Sequence, residues 1–283
     1  MYYIQESDKP VLVAKMFNII ELVEDKIILP VSSKEIIDNR KANTLVKRIK
    51  KILEKTDCKT VIVSKYLKGQ EKFMELLNNY MINVIDGKWL FSVLSDRVLD
   101  YIVKKKNLKK EEVNISFLVN KDYSDYLIEN IKKVVNTYKS INIVTPNLGK
   151  FKKLERDILE KEGTMITVTN NKKKSLMRSK IILNVDFKTN EINKYNIPDD
   201  SIIVNFKGDV DINKKRFNGL NINDYEISYE NSEEFDYDKS RLYFQKDIYE
   251  AGIYKRQPYE FIERKINRDK VEVIELRGKR TYL

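Results

Sequence analysis

The feature of this chain that most constrains its fold is an alternation of short apolar runs and helical segments between residues 140 and 206. Each apolar run is rich in β-branched residues and ends in a polar residue, which is typical of a parallel strand buried on both faces. Ligands of such sheets bind at the carboxyl ends of the strands, so the terminal polar residues are the first candidates for a binding site. The four predicted strands are 141–145, 165–169, 180–184 and 201–205.

The rest of the chain completes an α/β pattern. A charge-rich run at 104–112 predicts a domain boundary, because exposed charged connections commonly separate domains. The sequence therefore predicts an α/β fold in three parts: a smaller N-terminal α/β domain at 1–110, a Rossmann-like parallel-sheet domain at 111–228 and a C-terminal tail with two helices at 229–283. Further expected elements are a hairpin at 17–31, strands at 60–64, 82–85 and 113–119, one helix at 88–106 and an edge strand at 271–276.

Charge and residue usage narrow the function classes. The 54 basic and 43 acidic residues give a net charge of +11, which favours an anionic ligand or nucleic acid as partner. The two signs are interspersed, so a solvated surface is the plainer explanation of the same charge. Histidine is absent and Cys58 is the single cysteine. This composition excludes a disulfide framework, Ser-His and Cys-His catalytic dyads and a histidine zinc site, and we predict no metal.

The sequence gives no sign of a membrane or of secretion. The first residues lack a basic segment followed by an apolar one, as a signal peptide requires. No run approaches the ~18 apolar residues of a membrane span. We expect a cytoplasmic protein with no membrane partner.

Several segments carry a family resemblance. Thr167-Val-Thr-Asn-Asn-Lys-Lys-Lys174, Ser179-Lys-Ile-Ile-Leu-Asn-Val185 and Phe217-Asn-Gly-Leu220 are similar to strand-end phrases of one Rossmann family, as is Ile197-Pro-Asp-Asp-Ser-Ile-Ile-Val-Asn205. On these residues, 141–227 resembles the Rossmann domain of the shikimate dehydrogenase and methylenetetrahydrofolate dehydrogenase superfamily. The resemblance implies NADP as cofactor and a catalytic Lys and Asp pair, for which Lys65 and Asp86 have comparable positions.

The cofactor-binding residues expected from this resemblance follow the predicted strands at 141–145 and 165–169. The first turn reads Thr145-Pro-Asn-Leu-Gly149, with one glycine where the dinucleotide fingerprint has three. We therefore expect weak binding, with a phosphate group held mainly by side chains. The plainer alternative for the lysine run is an exposed loop. The expected binding residues are Thr145, Asn147, Gly149, Asn170, Lys172, Lys173 and Lys174.

Three functions remain open. The first is a cytoplasmic Rossmann-like protein that binds a nucleotide or other small phosphorylated ligand, with or without catalysis. The second is an NADP-dependent oxidoreductase of the shikimate dehydrogenase type, with Lys65 and Asp86 as acid and base across a cleft between domains. In the plainer alternative Lys65 is a solvated loop residue and Asp86 belongs to a turn. The third is a basic nucleic-acid-binding or protein-interaction module, which requires a continuous basic face or an exposed apolar patch.

Overall fold

The chain is an α/β protein in two compact units, as seen in a computed structural model that describes residues 1–56, 58–230, 241–253, 257–279 and 282–283. The first unit comprises Met1–Gly87 and Asn231–Arg256, and the second comprises Lys88–Glu230 and Gln257–Leu283. Each unit is built on one sheet in which parallel pairing dominates. No helix of the described residues is both long and apolar enough to cross a bilayer.

The first unit contains a five-stranded sheet with the strand order β2-β3-β1-β4-β5. All neighbours are parallel except β2 and β3, which form the predicted hairpin through a turn in which Glu24 has a positive φ. The strands are β1 (Tyr2–Glu6), β2 (Glu21–Val23), β3 (Lys26–Leu29), β4 (Thr60–Val63) and β5 (Asn83–Ile85), and the helices are α1 (Leu12–Phe17), α2 (Asn39–Lys55), α3 (Lys65–Lys68) and α4 (Glu71–Asn79).

Helix α2 shows why this unit folds as it does. Its first turn is capped by Asp38, whose side chain accepts a hydrogen bond from the Lys41 backbone N–H. The apolar positions of α2 recur at helical spacing and are buried against the sheet together with residues of α4. The buried positions of α2 are Ala42, Leu45, Val46, Ile49 and Leu53.

The second unit contains a seven-stranded sheet with the order β12-β11-β10-β9-β6-β7-β8. The four strands predicted around 141–205 are parallel members of this sheet, as expected, and the predicted edge strand pairs antiparallel with β11. The strands are β6 (Asn114–Leu118), β7 (Ser140–Val144), β8 (Thr167–Thr169), β9 (Ile181–Asn184), β10 (Ile202–Asn205), β11 (Leu220–Ser228) and β12 (Glu272–Gly278).

Helices connect most of these strands. The chain between β8 and β9 is an exception, because turns replace the helix that we expected there. The helices of this unit are α5 (Lys88–Val93), α6 (Ser95–Lys105), α7 (Asp125–Val135), α8 (Leu148–Glu162), α9 (Thr189–Ile192) and α11 (Tyr259–Arg268), with a short 3-10 helix at Lys110–Glu112, while α10 (Gln245–Gly252) belongs to the first unit.

The units divide the chain elsewhere than the sequence predicted. Residues 88–110, expected in the N-terminal domain, lie in the second unit, and the single helix expected at 88–106 is two helices. The reason is packing: the Phe91 ring stacks on Tyr225 at 4.2 Å and meets Phe206 edge-on at 5.0 Å. The predicted tail at 229–283 contributes α10 to one unit and α11 with β12 to the other. The acidic stretch of this tail, residues 230–238, lies outside the described residues from 231 onward.

Candidate functional site

The carboxyl ends of β4 and β5 bring the two predicted catalytic residues to the same edge of one sheet. These strands are parallel neighbours, with Ile62 opposite Ile85. Lys65 therefore follows β4 close to the point where Asp86 follows β5. The sequence placed the pair across a cleft between domains, whereas both residues belong to the first unit. Ligand sites of parallel sheets are found at such strand ends.

Ser64 fixes how the chain leaves β4. Its hydroxyl donates to the Glu6 Oε2 at 2.5 Å and accepts from the Leu67 N–H at 3.3 Å, and the side chain is fully buried. These two bonds tie the end of β4 to the end of β1 and start α3 in a fixed direction. Helix α3 carries Lys65 at its first position and Lys68 at its last.

Helix α10 supplies the part of this site that sequence reasoning missed. It packs against β4 and β5, preceded by Tyr243, whose ring meets Tyr3 edge-on at 5.2 Å. The Tyr243 hydroxyl donates to Gln5 Oε1 at 2.9 Å. Lys246 and Asp247 of α10 are buried, with 3% and 0% of their surface exposed. The sequence signal for this part of the site was two adjacent charged residues in an amphipathic helix. Nothing in the local sequence indicates that these residues lie near β4.

Three lysine ammonium groups surround the Phe244 ring. The Nζ atoms of Lys65, Lys68 and Lys246 lie 5.6, 5.5 and 5.1 Å from its centroid. Their burial is graded, since Lys65 is exposed, Lys68 is half-buried and Lys246 is buried. The electron-rich face of an aromatic ring attracts cations and so helps to hold several of them near one point. We call Lys65, Lys68 and Lys246 with Phe244 and Asp247 the lysine cluster.

Asp247 is the carboxylate inside the lysine cluster. Its Oδ2 accepts from Lys68 Nζ at 2.5 Å, and its Oδ1 has no hydrogen-bond partner among the described residues. Burial raises the pKa of Asp247 to about 7, against the opposing effects of Lys68 and Lys246 and with a further raising effect of Asp86. The carboxyl group can therefore gain or lose a proton near neutral pH.

Gly87 permits the close approach of α10 to the end of β5. Its φ is +75°, a left-handed conformation that favours glycine. A Cβ at this position would lie 2.9 Å from the Lys246 Cγ and Cδ atoms and 3.4 Å from Asp247 Oδ1. The glycine therefore allows the backbone at the end of β5 to pack directly against Lys246 and Asp247, on one side of the lysine cluster.

The residues expected to bind a cofactor lie at the carboxyl ends of β7 and β8, which are also neighbours in their sheet. Thr145 is buried and its Oγ1 accepts from the Asn147 N–H at 3.0 Å. The Asn147 side chain donates to the Asn120 carbonyl at 2.5 Å. Gly149 lies in the first turn of α8 with open space around it. Thr145 and Asn147 thus already take part in hydrogen bonds that shape the turn.

The lysine run after β8 is an exposed turn. Asn170, Lys172, Lys173 and Lys174 are all exposed. The Asn171 Oδ1 accepts from the backbone N–H groups of Lys173 and Lys174 at 3.0 and 3.1 Å, which orders the turn locally. This arrangement leaves the ammonium groups at the surface.

The first βα turn of the second sheet follows β6, one strand earlier than the sequence interpretation placed it. This turn contains no glycine. The Asp186 carboxylate accepts from the backbone N–H groups of Asn120, Lys121 and Asp122 at 2.5, 2.7 and 3.0 Å. These donors face the switch point between β6 and β9, where a phosphate group would otherwise bind. A carboxylate of the protein itself occupies the position.

Buried asparagines join the ends of the neighbouring strands. Asn184 Nδ2 donates to Asn205 Oδ1 at 2.8 Å, and Asn205 Nδ2 lies 2.8 Å from Asn221 Oδ1 and 3.0 Å from the Ile222 carbonyl. Asn184 and Asn205 also border a cavity of about 740 Å³. Their amide groups are engaged with the protein, which favours a structural role over ligand binding. Among the described residues no group of three or more His, Cys, Asp or Glu side chains is arranged to hold a metal ion.

Comparison with known proteins finds likeness only among solved structures. No protein-family model and no curated protein matches the chain. Ornithine transcarbamoylase from Giardia lamblia matches with 10% identity over 72% of each chain and a TM-score of 0.31. A putative aspartate carbamoyltransferase from Trypanosoma cruzi matches with 11% identity over 58% of this chain and 54% of that one, with a TM-score of 0.27. Such scores carry no inference about activity.

The expected resemblance to the shikimate dehydrogenase and methylenetetrahydrofolate dehydrogenase superfamily is wrong. The two solved structures described above are carbamoyltransferases, a different family. The resemblance makes the strand that begins near residue 141 the first strand of a Rossmann domain, whereas this strand, β7, comes second in chain order in its sheet, after β6. The oxidoreductase interpretation of Lys65 and Asp86 loses its basis with the resemblance.

Proposed function

We propose that the protein binds a small phosphorylated ligand at the carboxyl ends of β4 and β5, with the anion held by Lys65, Lys68 and Lys246. The observation that carries this proposal is the convergence of the three ammonium groups on the Phe244 ring, each within 5.6 Å of its centroid. Ammonium groups on flexible stems are suited to phosphate, which they contact as point charges. The graded burial gives the ligand an exposed first contact at Lys65.

Asp247 adjusts the charge of this site. When its carboxyl group holds a proton, the positive charge of Lys68 is not neutralised by its partner and remains for the ligand. When the proton leaves, the Lys68 and Asp247 charges compensate each other. Anion binding should therefore strengthen as the pH falls from 8 to 6. Asp86, at the end of the neighbouring strand β5, supplies a second carboxyl group that could act as an acid or a base toward a bound ligand.

The second sheet offers a weaker alternative site. The long helix α8 begins there without a side-chain cap and without an acidic residue in its first turn. Such an end favours anions. Its candidate residues are however exposed or already hydrogen-bonded within the turn, whereas Lys246 and Asp247 are buried. We keep Lys172, Lys173 and Lys174 as the competing site in the experiment.

A basic nucleic-acid surface is less favoured. Several lysines that such a surface would need form ion pairs within the second unit. The Lys110 Nζ lies 2.6 Å from Asp100, and the Lys133 Nζ lies 2.6 Å from Glu263. Lys132 is likewise 2.6 Å from Glu129. Pairing lowers the positive potential that would attract a polyanion.

Isothermal titration of the full chain with sulfate and pyrophosphate tests the proposal. The titration is repeated between pH 6 and 8 with sulfate, whose charge does not change in this range. We expect saturable binding that Lys65→Gln weakens roughly tenfold, corresponding to about 1.4 kcal/mol. Lys65 is exposed, so this variant should fold like the wild type. The matched control is the triple variant K172A/K173A/K174A, which removes three exposed charges elsewhere and should bind both anions as the wild type does.

Two results would overturn this assignment. If neither anion binds the wild-type chain saturably, the lysine cluster is a structural charge network. If the triple variant loses binding while Lys65→Gln retains it, the ligand belongs to the carboxyl ends of β7 and β8.

A further inference from the structure

The N-terminal part of the first unit exposes an unusual amount of apolar side chain. Helix α1 has no buried residue at all, and all three residues of β2 are exposed. Individual exposures reach 72% for Leu12 and 70% for Met16. The interaction-module alternative requires an exposed apolar patch, and the described residues show one here. We call this the α1–β2 surface, formed by Val11, Leu12, Val13, Met16, Phe17, Ile19, Leu22 and Val23.

The helical and strand parts of this surface are contiguous. Val11 and Ala14 line one cleft together with Ile19, Glu21 and Ile28. Since Ile19 N–H also donates to the Ala14 carbonyl at 2.9 Å, the chain turns directly from α1 toward β2. Two of the eight, Val11 and Ile19, line this cleft, and all eight lie within the 13 residues 11–23.

Among the described residues, no strand pairs with the outer side of β2. Strand β2 is the end member of its sheet and pairs with β3 on its inner side. Soluble proteins protect such edges with very short strands, charged side chains, proline or a covering segment. Strand β2 is three residues long and begins with Glu21, but Leu22 and Val23 are apolar and exposed, and the strand contains no proline.

We propose that the α1–β2 surface is the interface with a second copy of this chain, in which the two β2 strands pair antiparallel about a twofold axis. A strand edge paired with its own copy in the antiparallel sense generates this symmetry and closes the assembly at two chains. In this arrangement each copy contributes its β2 strand and its α1 helix to the same interface.

The size of the surface fits this occupant. Each of the eight side chains exposes on the order of 100 Å², so together they approach the ~800 Å² that each partner buries in a stable interface of standard size. Contiguous apolar patches above a few hundred Å² are rare on monomers. A second copy would cover the patch, and its β2 would hydrogen-bond to the outer backbone groups of the first β2.

Sedimentation equilibrium of the full chain between 1 and 100 µM tests the interface. We expect a mass of twice 33.6 kDa. The double variant L12E/M16E should sediment as a monomer with wild-type circular dichroism, because neither side chain is buried. The control is Met81→Glu, which charges a methionine of 88% exposure outside the surface and should leave the dimer intact.

Hydrogen exchange supplies a readout that does not depend on a variant. The backbone N–H groups of 21–23 should exchange at least tenfold more slowly at 100 µM than at 1 µM. A wild-type chain that is monomeric throughout, or a double variant with wild-type mass and circular dichroism, would overturn the proposal. Co-sedimentation of a monomeric wild type with vesicles of phosphatidylcholine and phosphatidylglycerol would reassign the surface to a membrane.

Discussion

Asp247 and Lys68 illustrate how a single buried pair governs the behaviour of the site. Removing a carboxylate from water favours its neutral form, and the nearby ammonium group favours its charged form. Burial is the larger effect here, because it raises the pKa from 3.8 to about 7 despite Lys68 at 2.5 Å. The sequence shows the two residues 179 positions apart, with nothing that relates them.

The raised pKa makes the stability of the fold depend on pH. Between about pH 4 and 7 the folded state holds a proton on Asp247 that the unfolded chain has released. Wild-type stability should therefore fall as the pH rises through this window and become level above it, with a total change of about 4 kcal/mol. Asp247→Asn should remove this slope. Urea unfolding followed by circular dichroism at pH 5, 6, 7 and 8 measures it.

Asp200→Asn is the matched control for that series. Asp200 is exposed and its hydrogen bond from Lys180 lowers its pKa, so it titrates below the window. The control should keep the wild-type slope between pH 5 and 7. A slope equally present in Asp247→Asn would show that another group titrates there.

Gly87 gives a second prediction at the scale of one residue. Gly87→Ala forces a side chain into a left-handed backbone and against Lys246, so we expect a loss of about 2–4 kcal/mol in the free energy of unfolding. Gly149→Ala, in α8 with open space around it, should instead stabilise by about 0.5–1 kcal/mol. Urea denaturation of both variants compares them. Equal effects would mean that α10 does not pack on Gly87 in solution.

At the scale of elements, the strands were predictable and the helical connections only partly so. The runs at 141–145 and 201–205 are apolar on both faces, and this pattern is specific for a buried parallel strand. The helix at 88–106 was predicted as one because its apolar positions continue through Leu94. The structure divides it into α5 and α6 at Leu94, whose φ of −86° and ψ of 19° depart from helical values. The stacking of Phe91 on Tyr225, more than a hundred residues away, ties this segment to the second unit. Local periodicity contains no information about such contacts.

The asparagines that join β9, β10 and β11 provide an element-scale prediction. Asn205→Leu removes one of the two acceptors of the Asn184 amide, since the Phe187 carbonyl remains. It also removes the Asn205 amide donor from the oxygens of Asn221, Ile222 and Asn223. We expect a loss of about 2–3 kcal/mol. Asn170→Leu, at an exposed position, should change the free energy of unfolding by less than about 0.5 kcal/mol. Chemical denaturation distinguishes them, and a mild effect of Asn205→Leu would indicate that water replaces the lost amide.

At the scale of the whole molecule, the first unit is discontinuous in sequence. Its sheet is covered on one face by α2 and α4 and on the other by residues around α10, where Tyr243 packs against Tyr3, Ile62 and Ile85. Lys65 and Asp86 could be selected from the sequence because strand ends are recognisable. Lys246 and Asp247 could not be selected in this way, because the sequence pattern of a helix does not indicate which distant sheet the helix packs against.

This discontinuity predicts how fragments behave. A fragment of residues 1–110, the domain expected from the sequence, lacks α10 and so exposes the apolar face of Tyr3, Ile62 and Ile85. It should bind the dye ANS and unfold without a cooperative transition, because a small domain that leaves one sheet face uncovered buries too little apolar surface. A chain that joins residues 1–87 to 241–253 through a flexible linker should unfold cooperatively and bind little dye. Cooperative unfolding of the 1–110 fragment alone would show that the first sheet folds without α10. In that case α10 would only be docked on the first sheet, and the lysine cluster would depend on that docking.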